Sequence, residues 1–244
     1  MIVRGIKTRK FLPPKDDLWD LLSAIKSLKE NSVVAVTSKV VSIGEGRCIP
    51  ISKIDKDILI QQEADKYLFR EEVPGSLVIQ TIKNNMLVAS AGIDESNGNG
   101  FFILWPKDPQ KSAKAIWQFL RKKFNVADLG IIITDSRLTP LRQGVVGYAI
   151  GFYGFNQIKS YIGKEDLFGR EFKMETSNIP DSLASAAVLE MGEGAEKKPI
   201  AIISDISLEF SEKDYSVDIE EKKDMFSPFL SSVKWKKGGS GKNQ

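Results

Sequence analysis

Apolar and polar positions recur along the chain at two periods, and the switches between them predict an order of elements. Behind Pro13-Pro14 and the acidic pair Asp16-Asp17, the residues Leu18, Leu21, Leu22, Ile25 and Leu28 follow i, i+3, i+4, i+7 spacing. That is an amphipathic helix with acids in its first turn. SVVAVTSKVVSI (32–43) is rich in β-branched residues and predicts a buried strand running into a loop. A helix is predicted over 55–69, and SLVIQTI and MLVASAGI, separated by Lys83-Asn84-Asn85, predict a hairpin. After Pro109, a second helix carries Ala113, Ile116, Trp117, Leu120 and Phe124 on one face and basic residues on the other.

LGIIITDS (129–136) is apolar up to its polar end and predicts a strand buried on both faces. The glycine-punctuated run from Gly144 to Phe155 predicts a strand with a bulge or a close backbone approach. Asp181 is expected to cap the helix SLASAAVLEM, which Gly192 stops. PIAIIS (199–204) reads as another strand. Strands and helices mix without strict βαβ alternation, so the fold class is α+β, with mixed β-sheets and flanking helices.

Composition narrows the chemistry. The 244 residues include no histidine and a single cysteine, Cys48. Histidine bases and ligands, disulfides within the chain and multi-cysteine metal sites are thereby excluded. A metal would meet mainly oxygen donors, which favours Mg²⁺, Mn²⁺ or Ca²⁺ over Zn²⁺. The net charge is +3, but the tail 234–244 holds four lysines and no acid, and without them the charge is −1. The body therefore gives no support to a nucleic-acid partner. The tail reads as a solvated, disordered end. No signal peptide or membrane span is visible, and a cytoplasmic setting is expected.

Three acidic segments are candidates for chemistry. AGIDESNGNG (91–100) follows an apolar strand and offers Asp94, Glu95, Ser96 and Asn97 in a glycine-rich turn. ITDS (133–136) places Asp135 and Ser136 at the end of a buried strand, where phosphate-handling enzymes often hold a metal. MGEG (191–194) flanks Glu193 with two glycines, more than a helix cap needs. Each also fits a plainer reading: a polar turn, a turn or cap aspartate, and a helix C-cap. Lys39, just after a buried strand, either holds a phosphate or marks the strand's end. Neither GxxxxGK[ST] nor GxGxxG occurs, so a nucleotide would be held another way.

In order and spacing, VVAVTSKVVSIGEGR (33–47), SAGIDESN (90–97), LWPKDPQKSA (104–113), GIIITDS (130–136), LRQGVVGYAIGFYG (141–154), DLFGR (166–170) and SLASAAVLEMGEG (182–194) resemble the coenzyme F420-0:L-glutamate γ-ligase family. The resemblance spans roughly residues 1–205 and leaves 206–233 as a C-terminal extension before the basic tail. It implies a two-lobed subunit in an intertwined homodimer. It also implies a ligase that activates an acceptor carboxylate with GTP or ATP as an acyl phosphate, which the amine of L-glutamate then displaces. Two divalent ions, Mg²⁺ or Mn²⁺, are implied as cofactors.

Carried over by position, Asp94 and Asp135 resemble the ligands of one metal. Ser136, where the family usually has threonine, resembles with Glu193 those of a second. Arg9, Ser38, Lys39, Asn97, Met191, Gly192, Gly194 and Glu196 fall at nucleotide contacts. Two departures stand out. The family's SKAEGR is here SIGEGR, with Ile43 in place of a phosphate-binding lysine, and the family's Gly-[Ile/Leu]-Pro opening is here Gly5-Ile6-Lys7-Thr8-Arg9. Together they suggest a paralogue whose acceptor is a folate or another carboxylate. A metal-dependent phosphohydrolase and a non-catalytic binding protein are the alternative readings.

Overall fold

The β-branched run from Ser32 forms the centre of the molecule. The computed structural model describes residues 1–241, so Lys242 of the predicted basic tail lies outside the described residues. In the large lobe a five-stranded sheet runs in the order β1 (Ile2–Ile6), β12 (Ile200–Ser204), β2 (Ser32–Thr37), β8 (Leu129–Leu138), β9 (Val145–Tyr153). β2 and β8 are parallel, in register from Ser32–Leu129 to Thr37–Thr134, and the other neighbours are antiparallel. The predicted burial of 129–133 on both faces holds, because the sheet is covered on both sides. Val34, Val36, Ile131 and Ile133 pack toward α1 (Leu18–Leu22), α2 (Ser38–Glu45) and α4 (Pro109–Phe124). Val33, Ala35, Ile132 and Ile203 pack on the small residues of α5 (Ile179–Met191).

The small lobe has its own core of Leu59, Ile60, Ile79, Ile93, Phe102 and Leu104. It is built from α3 (Lys56–Glu63), a sheet ordered β13 (Lys236–Lys237), β4 (Lys66–Tyr67), β5 (Gln80–Lys83), β6 (Met86–Ala89), and a ribbon of β3 (Cys48–Pro50) with β7 (Phe101–Ile103). A second ribbon, β10 (Ile158–Ser160) with β11 (Thr176–Asn178), precedes α5, and α6 (Ser227–Ser232) lies in the C-terminal extension. The architecture is the predicted α+β class. Among the described residues no helix is long and apolar enough to cross a membrane.

Several predicted boundaries move, for identifiable reasons. After Thr37 the chain enters α2 rather than a loop: Val40, Val41 and Ile43 are buried, and Gly46 (φ +73°) ends the helix in the left-handed conformation. β-branching favours a strand locally, but burial of one helical face wins. The helix predicted to reach residue 69 ends at Glu63, because Lys66 and Tyr67 join the small-lobe sheet. Asp181 does not cap α5. Asn178 does, accepting from the Asp181 N–H at 3.1 Å with Pro180 in the first turn, while the Asp181 carboxylate accepts from Ala149 N at 3.0 Å.

The hairpin closes on Asn84 and Asn85 alone, both left-handed (φ +48° and +59°), and Lys83 belongs to the strand. The anticipated bulge is present: β9 partners jump from Gly151 to Ala149 between Ile133 and Thr134. A close backbone approach accompanies it, since a Cβ on Gly151 would lie 2.5 Å from the Pro109 carbonyl oxygen.

The basic tail is paired through its described length. Lys236 and Lys237 form an antiparallel pair with Tyr67 and Lys66, and the N–H groups of 238–241 donate to carbonyls of 61–65 at 2.9 Å. Backbone donors meet the free carbonyls at the end of α3, a pairing that the charge pattern does not reveal.

Candidate active site

Because β2 and β8 run parallel, Thr37 and Thr134 end their paired stretch side by side. α2 begins immediately at Ser38, and β8 continues into Asp135 and Ser136. From the small lobe, the turn after β6 brings in Asp94, Ser96 and Asn97. The turn after α5 and the irregular segment 8–13 that follows β1 complete the walls of a cleft of about 730 Å³. Arg9, Ser38, Lys39, Asp94, Asn97, Asp135, Ser136, Met191, Gly192, Glu193, Gly194 and Glu196 all line it. Segments up to 187 positions apart in sequence, Arg9 and Glu196, thus converge on one concavity.

Two carboxylate-centred pairs organise the polar wall. In the first, Lys39 Nζ sits 2.6 Å from Asp94 Oδ2 and donates to the Ser96 carbonyl at 2.8 Å. Ser96 N donates to the other Asp94 oxygen at 2.7 Å. Burial opposes ionisation of Asp94, but the Lys39 ammonium and the Ser96 donors outweigh it and hold the carboxyl below its ordinary range. Asp135 behaves in the opposite way. Burial pushes it up to about 6, with the nearby Asp94 charge adding to the shift and the Ser136 N–H and the Trp105 indole N–H opposing it. In the second pair, Ser136 Oγ donates to Glu193 Oε1 at 2.6 Å across the gap between β8 and the turn after α5.

That turn is held open by backbone. Gly192 (φ +80°) leaves room for the Glu196 side chain, whose Cδ would lie 2.5 Å from an added Cβ. Glu196 accepts from Gly194 N at 2.8 Å, and Asn97 Nδ2 donates to the Gly194 carbonyl at 3.2 Å, joining the two lobes. Arg9 reaches the cleft, but its guanidinium is committed to Asp16 at 2.6 Å and Asp20 at 2.9 Å. Ile43 lines the cleft as a buried apolar side chain of α2, so the ammonium groups nearest the α2 N-terminus come from elsewhere.

Among the described residues no group of three carboxylates, cysteines or histidines stands ready as a complete metal cage. The donors instead come as Asp94 with Asp135 and Ser136 with Glu193, all oxygen. Mg²⁺ and Mn²⁺ are commonly held by one or two carboxylates, with phosphate and water oxygens completing the shell. Thr134 adds a buried hydroxyl, lining the same cleft, that has no hydrogen-bond partner among the described residues. This donor set fits such an ion bound together with a phosphate.

Sequence reasoning missed Thr134, Trp105, Lys197 and Lys198. Thr134 directly precedes Asp135 after the apolar run, and the two lysines follow the MGEG turn after Ala195 and Glu196, so proximity to those candidates was the available signal. Lys198 Nζ pairs with Glu190 at 2.9 Å, whereas Lys197 lines the cleft without an ion-pair partner among the described residues. Trp105 carries no local signal, because its partner is 30 positions away.

The chain is similar to known proteins. The family model described as F420-0:gamma-glutamyl ligase matches residues 5–205. Coenzyme F420:L-glutamate ligase of Methanopyrus kandleri is 36% identical over 215 residues, covering 82% of this chain and 85% of that protein. The ligase of the same name from Archaeoglobus fulgidus is 31% identical over 211 residues, covering 79% and 83%. That of Methanocaldococcus jannaschii is 37% identical over 139 residues, covering 57% and 55%.

Proposed function

The chain belongs to the F420-0:gamma-glutamyl ligase family, and on that premise we propose that it is a nucleotide- and divalent-metal-dependent L-glutamate ligase. The observation that carries the reading is the convergence of Asp94, Asp135, Ser136 and Glu193 with the N-terminus of α2 in one cleft. F420-0 is the acceptor that the family's description suggests, and a folate-like carboxylate is the alternative that Ile43 and the altered N-terminus keep in view.

In the proposed reaction an acceptor carboxylate oxygen attacks the γ-phosphorus of GTP or ATP, the bond to the bridging oxygen breaks, and the nucleoside diphosphate leaves. The glutamate amine then attacks the acyl carbon, phosphate departs with the C–O electron pair, and the nitrogen loses a proton to phosphate or solvent. Divalent ions, when bound, neutralise charge on the phosphoryl oxygens during transfer. The chain's own part is to position groups. Ser38 and Lys39 offer backbone N–H groups at a helix start to phosphate oxygens. Asp94 and Asp135 present oxygens from opposite lobes, and Ser136 orients Glu193. No protein nucleophile is required, in keeping with a chain that lacks histidine.

The proposal includes a homodimer. Leu138, Leu141 and Val145 on the β8–β9 arm and Leu167 and Phe168 in the following loop are exposed, more apolar surface than an isolated arm needs.

The test is calorimetric titration of GTP, and separately ATP, with and without Mn²⁺, repeated with Asp135→Asn. Metal-dependent binding that the variant loses is the expected result, followed by detection of glutamyl addition to F420-0 or a folate by mass spectrometry. Absence of binding by either nucleotide overturns the ligase reading. Phosphate release without glutamate or acceptor would replace it with a phosphohydrolase.

A further inference from the structure

One buried contact at the cleft has a different origin from the rest. Trp105 is 1% exposed, and its indole N–H donates to Asp135 Oδ2. The other carboxylate oxygen accepts from Ser136 N at 2.8 Å, so both oxygens of Asp135 are held by donors of the chain itself. The indole reaches this place only because residue 92 is glycine. With φ +69°, a Cβ there would lie 2.0 Å from the Trp105 Nε1 atom.

The small lobe fixes the tryptophan from behind. Arg47 Nε donates to the Trp105 carbonyl at 3.2 Å, and Lys83 Nζ lies 5.7 Å from the ring centroid. Both cations close on Glu63, which is 1% exposed, at 3.1 Å and 2.5 Å. An ion cluster this deep is costly unless its members are paired, and here each member is. Its surfaces hold the backbone and ring of Trp105, a residue that would otherwise need no charged neighbours.

We infer that Trp105 is a positioning residue for the metal-binding carboxylate of Asp135, delivered from the small lobe onto a strand of the large lobe. The inference rests on the reading of this cleft as a metal-dependent nucleotide site. Donation from a rigid, buried indole removes the rotational freedom of the carboxylate, so its oxygens face the cleft before an ion arrives. Trp105 touches no reacting atom in this scheme; it acts through Asp135.

Two measurements test it. First, Mn²⁺ affinity is measured by electron paramagnetic resonance for the unaltered protein and for Trp105→Phe, which keeps a ring but has no N–H. The expected result is binding weakened about tenfold, the worth of one hydrogen bond to a charged group, with a similar melting temperature. Second, indole N–H resonances are followed by NMR in the full chain, which needs no folded tryptophan variant. Trp117 and Trp235 donate to backbone carbonyls, so among these three tryptophans Trp105 alone reports on a carboxylate. One indole signal should move both on adding Mg²⁺ and in Asp135→Asn.

Equal Mn²⁺ affinity in Trp105→Phe, or indole signals indifferent to Mg²⁺ and to Asp135→Asn, overturns the positioning role while leaving the metal site standing. If the unaltered protein binds no Mn²⁺, the metal reading of the cleft fails, and this inference fails with it.

Discussion

Lys39 Nζ lies 2.6 Å from Asp94 Oδ2, so an ammonium already stands on the carboxylate that the proposed function assigns to a divalent ion. The same ammonium donates to the Ser96 carbonyl and hydroxyl, at 2.8 Å and 3.1 Å, and therefore ties α2 to the turn after β6. Under the proposed function, a nucleotide bringing phosphate oxygens into the cleft would give Lys39 a new partner and release Asp94.

That exchange has a signed consequence. Lys39→Met should raise the affinity for Mn²⁺ alone by a few-fold, since a partly exposed ion pair is worth up to about 1 kcal/mol. It should lower the affinity for GTP with Mn²⁺ by about tenfold or more, because a charge-assisted contact to phosphate is lost. Calorimetry with metal alone and with metal plus nucleotide separates the two, and a loss in both experiments would contradict the exchange.

Ser136 and Glu193 make a second prediction. Ser136→Ala removes the 2.6 Å hydrogen bond that tethers the turn after α5 to β8. Turnover, followed as glutamate-dependent phosphate release, should fall about tenfold, in line with the loss of one hydrogen bond to a charged group. Ser136→Thr keeps the hydroxyl and should remain within about threefold of the parent by the same reasoning. Equal losses in both variants would mean that packing, not the hydroxyl, matters there.

The parts of this fold that are legible in sequence are those whose signal is local. α4 shows its period and its Pro109 start, and the apolar run 129–133 announces a strand covered on both faces. Asp94, Asp135 and Glu193 stand out because glycines or a strand end surround them. What escaped was set by distant partners. α2 follows β2 because Val40, Val41 and Ile43 find a core to bury in, and Asp181 loses the cap to Asn178 because Arg137 and the Ala149 N–H occupy its carboxylate. Trp105 lies two residues past β7, between Leu104 and Pro106, with no polar neighbour to mark it. Its role appears only when β8 is laid beside β2 and the small lobe is folded over both.

The raised Asp135 carboxyl predicts a pH dependence in the metal-free protein. Its value rises from 3.8 to about 6 because burial disfavours the anion. The neutral form is thus favoured on folding, and the stability it contributes is complete below pH 3.8 and lost as pH rises through about 6. Asp135→Asn, which cannot ionise, should therefore be more stable than the parent at pH 8 by about 2 kcal/mol, and the difference should vanish near pH 4. Urea denaturation at the two pH values checks this. Mn²⁺ affinity should also fall by up to about tenfold per unit as pH drops below 6, because the ion competes with one proton. A flat stability difference between pH 4 and pH 8 would place the cause outside Asp135.

The C-terminal segment carries the last prediction. Its charge pattern describes a solvated end, yet Gly238, Gly239, Ser240 and Gly241 donate to the carbonyls of Asp65, Gln61, Ala64 and Gln62, each at 2.9 Å. Three of those carbonyls belong to the last turn of α3 or the residue after it, where a helix has no acceptors' partners of its own. The glycines are needed for contact: a Cβ on Gly238 would lie 2.0 Å from the Ala64 carbonyl oxygen. Ending the chain at Val233 should therefore cost about 2–4 kcal/mol, four backbone hydrogen bonds at their usual net worth. It should also open the surface over Glu63, the buried anion of the cluster behind Trp105. Gly238→Ala should reproduce much of the loss in the full-length chain. The urea midpoint reads both variants, and midpoints equal to the parent's would show that α3 is finished by water rather than by the tail.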